Sequence, residues 1–270
     1  MLATGSRSES RSRLRQAVRR RREGLLQIVL VVSAIQAYEG FRRLIDPDWP
    51  AAMENARRIA DLERVLHLGW EKPVQQSFLR LPELVEAMNV FYFVGHFLLT
   101  GIFFVWLYHR SRTGFRLFRD GFLAATALAL IVHWGFPTAP PRLAGMGLVD
   151  TLRQLSDIDI GSDAASTYYN PVAAVPSLHA GYAIGVGIGL AFFARRRFAR
   201  ALGVFYPLAV LLTIVVTGNH FVFDALAGIA VMGLGFLVVW LVRRLRSLPR
   251  PRLRKRPAIL AHATRGGAVR

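Results

Sequence analysis

Two histidines, each at the end of an apolar run, are the side chains of this sequence best suited to chemistry. His179 closes the segment PSLH at 176–179, and His220 lies between two apolar runs, four residues before Asp224. A spacing of four puts His220 and Asp224 on one helical face. There the carboxylate can hold the imidazole in one tautomer, as phosphoryl and acyl transfer require.

The elements that position these residues are helices in a membrane. Hydrophobic residues make up 53% of the chain and are gathered in blocks of about 17–25 residues. Each block is long enough to cross a hydrocarbon core of about 30 Å as a helix. The six blocks are 25–45, 84–108, 121–137, 178–194, 201–217 and 221–242. We expect an all-α integral membrane fold with six transmembrane helices, because the backbone in lipid must be hydrogen-bonded internally.

The distribution of positive charge predicts the orientation of this fold. Of the 35 Lys and Arg residues, 26 lie in segments on one face of a six-span topology: 1–23, 110–119, 195–200 and 243–270. The positive-inside rule places that face, with both termini, in the cytoplasm. We therefore expect a multi-pass protein of the cell membrane, with a basic cytoplasmic tail at each end of a membrane domain that covers 24–242.

The net charge of +18 does not indicate nucleic-acid binding. The basic residues lie in tails and short loops beside the apolar blocks, which is typical of topology signals and of contacts to anionic lipid. Cysteine is absent, so disulfides and thiolate metal sites are ruled out. We expect membrane lipids and no nucleic acid as partners, and the sequence gives no indication of the oligomeric state.

The six-span topology brings the polar residues to one outer face. Arg142 follows the outer end of the third span, His179 lies in the first turn of the fourth, and His220 and Asp224 lie at the start of the sixth. Arg142 can hold phosphate oxygens in a bidentate fork. One histidine can attack phosphorus while the other protonates the departing oxygen. Free amides around Ser177, at a helix start, would help to hold the anion.

These motifs resemble those of the type 2 phosphatidic acid phosphatase and vanadium haloperoxidase superfamily. The resemblance rests on PSLH at 176–179 and on His220 with Asp224. The segments FPTAPPR at 136–142 and TGNH at 217–220 are similar to its inositol phosphorylceramide synthase branch. The similarity covers roughly residues 84–242.

The resemblance implies a lipid phosphate phosphatase or phosphotransferase that forms a phosphohistidine and uses no cofactor or metal. It implies His220 as nucleophile, Asp224 as the residue that orients it, and His179 as general acid. Arg142 would bind the phosphate, and Ser177 would contribute through its amide or hydroxyl. The substrate would be a lipid-linked phosphate at the extracytoplasmic face, with an alcohol acceptor where the reaction is a transfer. The sequence does not separate hydrolysis from transfer.

Two phosphate-binding cations of the phosphatase pattern are absent. The pattern Lys-x6-Arg-Pro has Gly135 in place of the lysine, and Ile214 stands where a second motif has arginine. Residues of the second outer loop, 138–175, are candidates to replace the lost charge. These are Arg153, Tyr168, Tyr169 and Asn170. Tyr169 and Asn170, with His96 in the second span, are also candidates for the substrate path.

Other interpretations remain open at this stage. His220 and Asp224 also fit a structural pair at a helix end, and His96 fits a packing role. His179, His220 and Asp224 together offer ligands that suit zinc, although Arg142 would be an unfavourable neighbour for a cation. A non-enzymatic transporter or channel would use the His/Arg cluster as its path. Interrupted spans and charges at mid-membrane would favour that class, whereas the polar residues here stand at span ends.

Overall fold

The computed structural model describes residues 48–156 and 171–247, together with a few positions between 22 and 40. The extended backbone contacts within these residues are confined to one isolated β-bridge between Thr138 and Ala173. The rest of the ordered structure is helical, numbered here along the described residues. The helices are α1 Trp49–Val65, α2 Glu71–Phe78, α3 Pro82–Arg110, α4 Arg112–Gly135, α5 Thr151–Ser156, α6 Leu178–Phe193, α7 Arg197–Val216 and α8 Val222–Ser247.

Three of these helices, α3, α7 and α8, are long and apolar enough to cross a membrane. They correspond to the spans expected at 84–108, 201–217 and 221–242. Helix α8 continues to Ser247, beyond the apolar block that ends at 242. The fold is confirmed as all-helical with membrane-length apolar helices.

The other expected spans differ from these three. Helix α6 has only 16 residues. Helix α4 has 24 residues, but its first turns carry charged side chains such as Arg112, Arg119 and Asp120, which shorten its apolar part. The span expected at 25–45 lies almost entirely outside the described residues. The six-span topology therefore stays a prediction.

Helix α6 occupies the centre of the bundle, in contact with α3, α4, α7 and α8. Small residues make this close approach possible. A Cβ on Gly187 would lie 2.4 Å from the carbonyl oxygen of Gly203 in α7, and one on Gly185 would lie 2.6 Å from the ring of Phe122 in α4. Small residues let helix backbones pack closely in lipid. The helix that begins with the PSLH segment is thus fixed on several sides.

Loops and short helices cover the end of the bundle where α6 and α8 begin. Helix α1 packs its small and aliphatic face, including Ala56 and Ile59, against Val175 and Phe221. Helix α2 contacts α7, and α5 contacts the start of α3. These elements hold the segments that precede α6 and α8, and those segments carry the polar residues singled out above.

Candidate active site

The start of α6 is joined directly to the first turns of α8. The N–H of Ser177 donates to the carbonyl oxygen of Asp224 at 2.9 Å. Gly228 makes this contact possible, because a Cβ at that position would lie only 2.0 Å from the carbonyl oxygen of Ser177. As a result the rings of His179 and His220 have centroids 5.7 Å apart. Two histidines separated by 41 positions in the sequence therefore share one site.

Ser177 acts differently from the expectation that its amide holds an anion. That N–H is already used by the Asp224 carbonyl, and the Ser177 hydroxyl oxygen accepts from the N–H of Ala180 at 3.3 Å as the N-cap of α6. A hydroxyl that accepts one hydrogen bond can still donate its own hydrogen. A phosphate-binding role for Ser177 therefore rests on its hydroxyl alone.

His220 presents one ring nitrogen to the site and uses the other for support. Its Nδ1 lies 2.9 Å from the carbonyl oxygen of Ala174 and 3.3 Å from Oδ2 of Asp224. A carbonyl only accepts, so Nδ1 carries the hydrogen and Nε2 carries the lone pair. Nε2 is buried and has no hydrogen-bond partner among the described residues. Burial lowers the pKa of His220 to about 4, which keeps this lone pair free at neutral pH.

Asp224 supports His220 but shares that task with the backbone. Its Oδ2 accepts the N–H of Phe221 at 2.9 Å as well as facing His220 Nδ1. The shorter contact of His220 is with the carbonyl of Ala174. The tautomer is thus set by two acceptors, and the sequence pattern indicated only the carboxylate.

His179 is held in a complementary way. Its ring stacks on Tyr92, with centroids 4.2 Å apart and planes 16° apart. It is also hydrogen-bonded to the backbone of Tyr92, and because Nε2 has no partner among the described residues, Nδ1 makes that bond. The Nε2 atom carries a lone pair while the ring is neutral and becomes a hydrogen-bond donor once the ring is protonated. Such a nitrogen can pass a proton to and from an oxygen in the site.

Arg142 reaches this site from the loop after α4. Its N–H donates to the carbonyl oxygen of Gly218 at 3.0 Å, which brings the loop beside His220. In the side chain, Nε donates to Oδ1 of Asn219 at 2.9 Å and Nη1 donates to Oδ2 of Asp150 at 2.7 Å. The remaining nitrogen, Nη2, is buried without a partner in the described part of the chain.

Three buried nitrogen atoms without partners therefore belong to neighbouring side chains. They are Nε2 of His179, Nε2 of His220 and Nη2 of Arg142. Arg142 is close enough to His220 for its positive charge to help lower the pKa of that histidine. Buried polar atoms without hydrogen bonds are rare in folded proteins, and a cluster of them marks a place for a polar ligand. A phosphate oxygen would accept from Nη2 of Arg142 and from Nε2 of His179 once that ring is protonated, whereas the lone pair on Nε2 of His220 suits a nucleophile.

Two further histidines line this region. His96 follows a π-helical turn at Phe91–Gly95 within α3, and its ring centroid lies 4.9 Å from that of His179. Its Nδ1 lies 2.8 Å from the hydroxyl of Tyr206, and its Nε2 is buried without a described partner. His133 holds the carbonyl oxygen of Pro176 at 3.2 Å through Nε2. The ring of His179 therefore lies near both the ring of His220 and the ring of His96.

The arrangement does not resemble a zinc site. Nδ1 of His220 and Oδ2 of Asp224 face each other at 3.3 Å, and Arg142 adds a positive charge beside them. Among residues 48–156 and 171–247, no three His, Asp or Glu side chains are grouped in a way that would hold a metal ion.

Several site residues had no clear signal in the sequence. Asp150 and Asn219 orient Arg142, Tyr92 supports His179, and the backbone of Ala174 supports His220. Of these only Asn219 stands inside a quoted motif, TGNH at 217–220.

None of the candidates proposed to replace the missing cations brings a described side-chain contact to the site; the N–H of Arg153 donates to Oδ1 of Asp150 at 3.4 Å. Tyr168, Tyr169 and Asn170 lie outside the described residues. Arg153 is described and is exposed in α5. Arg142 is therefore the cation that the described residues place beside the two histidines.

Comparison with known families decides what kind of protein has this site. A family model described as the PAP2 superfamily matches residues 57–238. The chain belongs to the PAP2 superfamily. The matched range contains Arg142, His179, His220 and Asp224. Members of the superfamily are generally phosphatases, which supports an enzyme of the phosphatase kind. No curated protein and no solved structure is similar enough to this PAP2 chain to count as a match.

Proposed function

We propose that this PAP2 protein is a membrane phosphotransferase or phosphatase that acts on a lipid-linked phosphate through a phosphohistidine, as in the inositol phosphorylceramide synthase branch. The observation that carries the proposal is the cluster of unpartnered buried nitrogens on Arg142, His179 and His220. The segments FPTAPPR at 136–142 and TGNH at 217–220 support the branch.

In the first step, Arg142 holds a non-bridging oxygen through Nη2 and Nε2 of His220 attacks phosphorus. A P–N bond forms and the bond from phosphorus to the lipid oxygen breaks. His179 gives its Nε2 proton to that departing oxygen. The developing positive charge on His220 is stabilised through Nδ1–H by the Ala174 carbonyl and Asp224.

In the second step, the acceptor attacks the phosphohistidine. His179, now neutral, takes the proton of the incoming hydroxyl, and the P–N bond to His220 breaks. Water as acceptor releases phosphate when the substrate is a monoester and a phosphomonoester when it is a diester, and the enzyme is then a hydrolase of the phosphatase kind. An alcohol as acceptor makes it a transferase. His96, 4.9 Å from His179 between ring centroids, lies where it would contact the substrate or acceptor.

The charge of the site favours one class of lipid phosphate. Arg142 is paired with Asp150 at 2.7 Å, and the two other cations of the phosphatase pattern are replaced by Gly135 and Ile214. A phosphodiester carries one negative charge and a monoester at neutral pH carries nearly two. A site with one partly neutralised guanidinium suits the diester better.

The ends of the helices support an extracytoplasmic site in the cell membrane. Helices α6 and α8 begin at the site, and their other ends lead to basic residues, including Arg195, Arg196, Arg243 and Arg244. By the positive-inside rule those ends face the cytoplasm. Single cysteines at positions 114 and 147 test this orientation in intact cells. An impermeant reagent should label position 147 and not 114, and the reverse result would contradict the topology.

The test of function combines a substrate panel with trapping of the intermediate. Purified protein is assayed against lipid phosphomonoesters and diesters, with and without alcohol acceptors, using substrate with labelled phosphorus. We expect turnover of a diester and labelled protein after a neutral quench, and no label on His220→Ala. The control is His109→Ala, because His109 is exposed and lies at the other end of α3. Label on His220→Ala at the wild-type level would show that the assigned nucleophile is wrong. Transport without turnover would favour the transporter class.

A further inference from the structure

The first turn of α8 is capped by carboxyl groups that come from distant parts of the chain. Oε1 of Glu71 accepts the N–H of Val222 at 2.7 Å, and Oε1 of Glu63 accepts the N–H of Phe223 at 2.7 Å. Helix starts leave such N–H groups without intrahelical partners, and the usual cap is a local side chain. Here the two caps stand 151 and 160 positions away in the sequence.

Helix α2 holds both ends of the loop that carries His220. Before the loop, Nε2 of Gln75 donates to the carbonyl oxygen of Val216 at 3.1 Å, at the end of α7. After the loop, Glu71 accepts from Val222 at the start of α8. One short helix therefore fixes the two points between which His220 lies.

The two glutamates form a buried pair. Glu63 is 1% exposed and Glu71 is 6% exposed, and their side chains lie within hydrogen-bonding reach of each other. A carboxylate has no hydrogen to donate, so a hydrogen bond between two carboxyl groups requires a proton on one of them. Two adjacent buried negative charges would also be costly. The titratable group that faces the pair from α8 is a further acid, Asp224.

We propose that Glu63 and Glu71 are positioning residues that hold the start of α8, and with it His220 and Asp224, by sharing one proton. The consequence for turnover rests on the proposed function. The consequence for the structure of the 217–221 loop does not.

Loss of the shared proton would leave a negative charge on both glutamates, and this charge would disturb the site. Two adjacent carboxylates would then repel each other, and this repulsion would separate the caps on Val222 and Phe223. Burial raises the pKa of Glu63 to about 8, so the proton is present at neutral pH and leaves under alkaline conditions. His220, which directly precedes this turn, would lose its alignment with the phosphate.

The experiment compares Glu63→Leu, Glu63→Gln and a matched control, Glu54→Gln. Glu54 lies on the same helix, has 47% of its side chain exposed, and pairs with Arg57 and Arg58. Glutamine at position 63 keeps an oxygen for Phe223 and supplies a permanent donor for Glu71, whereas leucine supplies neither. Three measurements are made: the infrared carbonyl band of a protonated carboxyl, amide hydrogen exchange across 217–224, and kcat and KM against pH.

We expect a protonated-carboxyl band in the wild type that disappears near pH 8 and is absent from Glu63→Gln. In Glu63→Leu, hydrogen exchange at 217–224 should increase and kcat should fall by about 10–100-fold with KM little changed, because a small misplacement of reacting groups is enough for such a loss. Glu63→Gln should rescue kcat and remove the alkaline decline. Glu54→Gln should match the wild type.

The proposal is overturned if the band is insensitive to Glu63→Gln, or if Glu63→Leu keeps wild-type hydrogen exchange at 217–224. These two readouts need no substrate, so they test the pair even if the panel of lipid phosphates gives no turnover. An alkaline decline of kcat that persists unchanged in Glu63→Gln would also contradict the shared proton.

Discussion

The two ends of the helix bundle are held together by different interactions. Where α6 and α8 begin, many buried side chains are polar, among them Glu63, Arg142, His179 and Asp224. At the other end of α3, α4 and α6 the core is aromatic. It contains Phe103, Phe115, Phe118 and Phe122, with Phe193 and Phe236 packed against it.

The difference shows where this chain needs defined geometry. Dispersion contacts between rings are individually weak and tolerate small shifts, so an aromatic cluster holds helices together without fixing single atoms. A buried hydrogen-bond network allows few arrangements, because each lost partner is costly. The polar network therefore lies around the residues of the candidate site. The predictions below test whether function depends on one end and stability on both.

The largest effect on turnover is expected at the contact between α6 and α8. In Gly228→Ala the new Cβ would lie 2.0 Å from the carbonyl oxygen of Ser177, so α6 and α8 must separate. We expect turnover to fall at least about 100-fold, since misplaced reacting groups lose that much, and the unfolding free energy to fall by about 1–3 kcal/mol. Both are measured on purified protein in bicelles.

The matched control for this change is Gly233→Ala on the same helix. A Cβ there meets nothing within 4 Å, so turnover should stay at the wild-type level. Equal loss in the two variants would show that the effect comes from the helix and not from its contact with Ser177.

A smaller loss is expected from Asp224→Asn. An asparagine oxygen can still accept from Phe221 and face Nδ1 of His220, and the Ala174 carbonyl at 2.9 Å still holds the tautomer. What is removed is the negative charge that stabilises a positively charged imidazole. We expect turnover to fall by about 10²-fold, less than in triads where the tautomer is lost. The measurement is the single-turnover rate of phosphoenzyme formation, and a loss above about 10⁴-fold would show that Ala174 does not share the task.

The residues of the candidate site at the polar end were predictable from the sequence only in part. His179, His220, Asp224 and Arg142 stand in short motifs, and the structure brings them together. The acceptor on Ala174 was not predictable, because a backbone carbonyl has no signature in residue type.

Contacts between residues far apart in the sequence also limited what could be predicted from it. The caps from Glu63 and Glu71 join positions more than 150 residues apart, and no local pattern specifies such a pairing. The engaged amide of Ser177 was missed for the same reason, since its acceptor is the Asp224 carbonyl on another helix. For the fold, hydropathy located α3, α7 and α8, where apolar runs are long. It defined α4 and α6 less well, because one begins with charged residues and the other has only 16 residues.

The polar end should also titrate as the pH changes. The pKa of Glu63 is raised from 4.5 to about 8, so its contribution to stability is complete below pH 4.5 and is lost as the pH rises towards 8. The pKa of His220 is lowered from 6.5 to about 4, so its contribution is complete above pH 6.5 and is lost as the pH falls towards 4. Of these two groups, only Glu63 has a contribution to stability that changes between pH 6.5 and 8.

We therefore expect the unfolding free energy to decrease between pH 6.5 and 8. One proton gives a slope of at most about 1.4 kcal/mol per pH unit, or about 2 kcal/mol over this window. The measurement is Tm and SDS-induced unfolding of the wild type and of Glu63→Gln, in which the decrease should disappear. A Tm that rises over this window in the wild type would have the wrong sign for a raised carboxyl pKa.

The smallest effect on function is expected at the aromatic end, from Phe118→Leu. The ring of Phe118 meets Phe236 and Phe193 edge-to-face, with centroids 5.0 Å and 5.9 Å apart. Leucine loses these contacts but keeps an apolar side chain, so we expect the unfolding free energy to fall by about 1 kcal/mol. Turnover should stay within about 2-fold of the wild type, because no hydrogen bond of the site depends on this ring. If turnover fell as far as in Gly228→Ala while hydrogen exchange at 217–224 also increased, the two ends would be coupled, and the aromatic cluster would have to be counted among the elements that position His220.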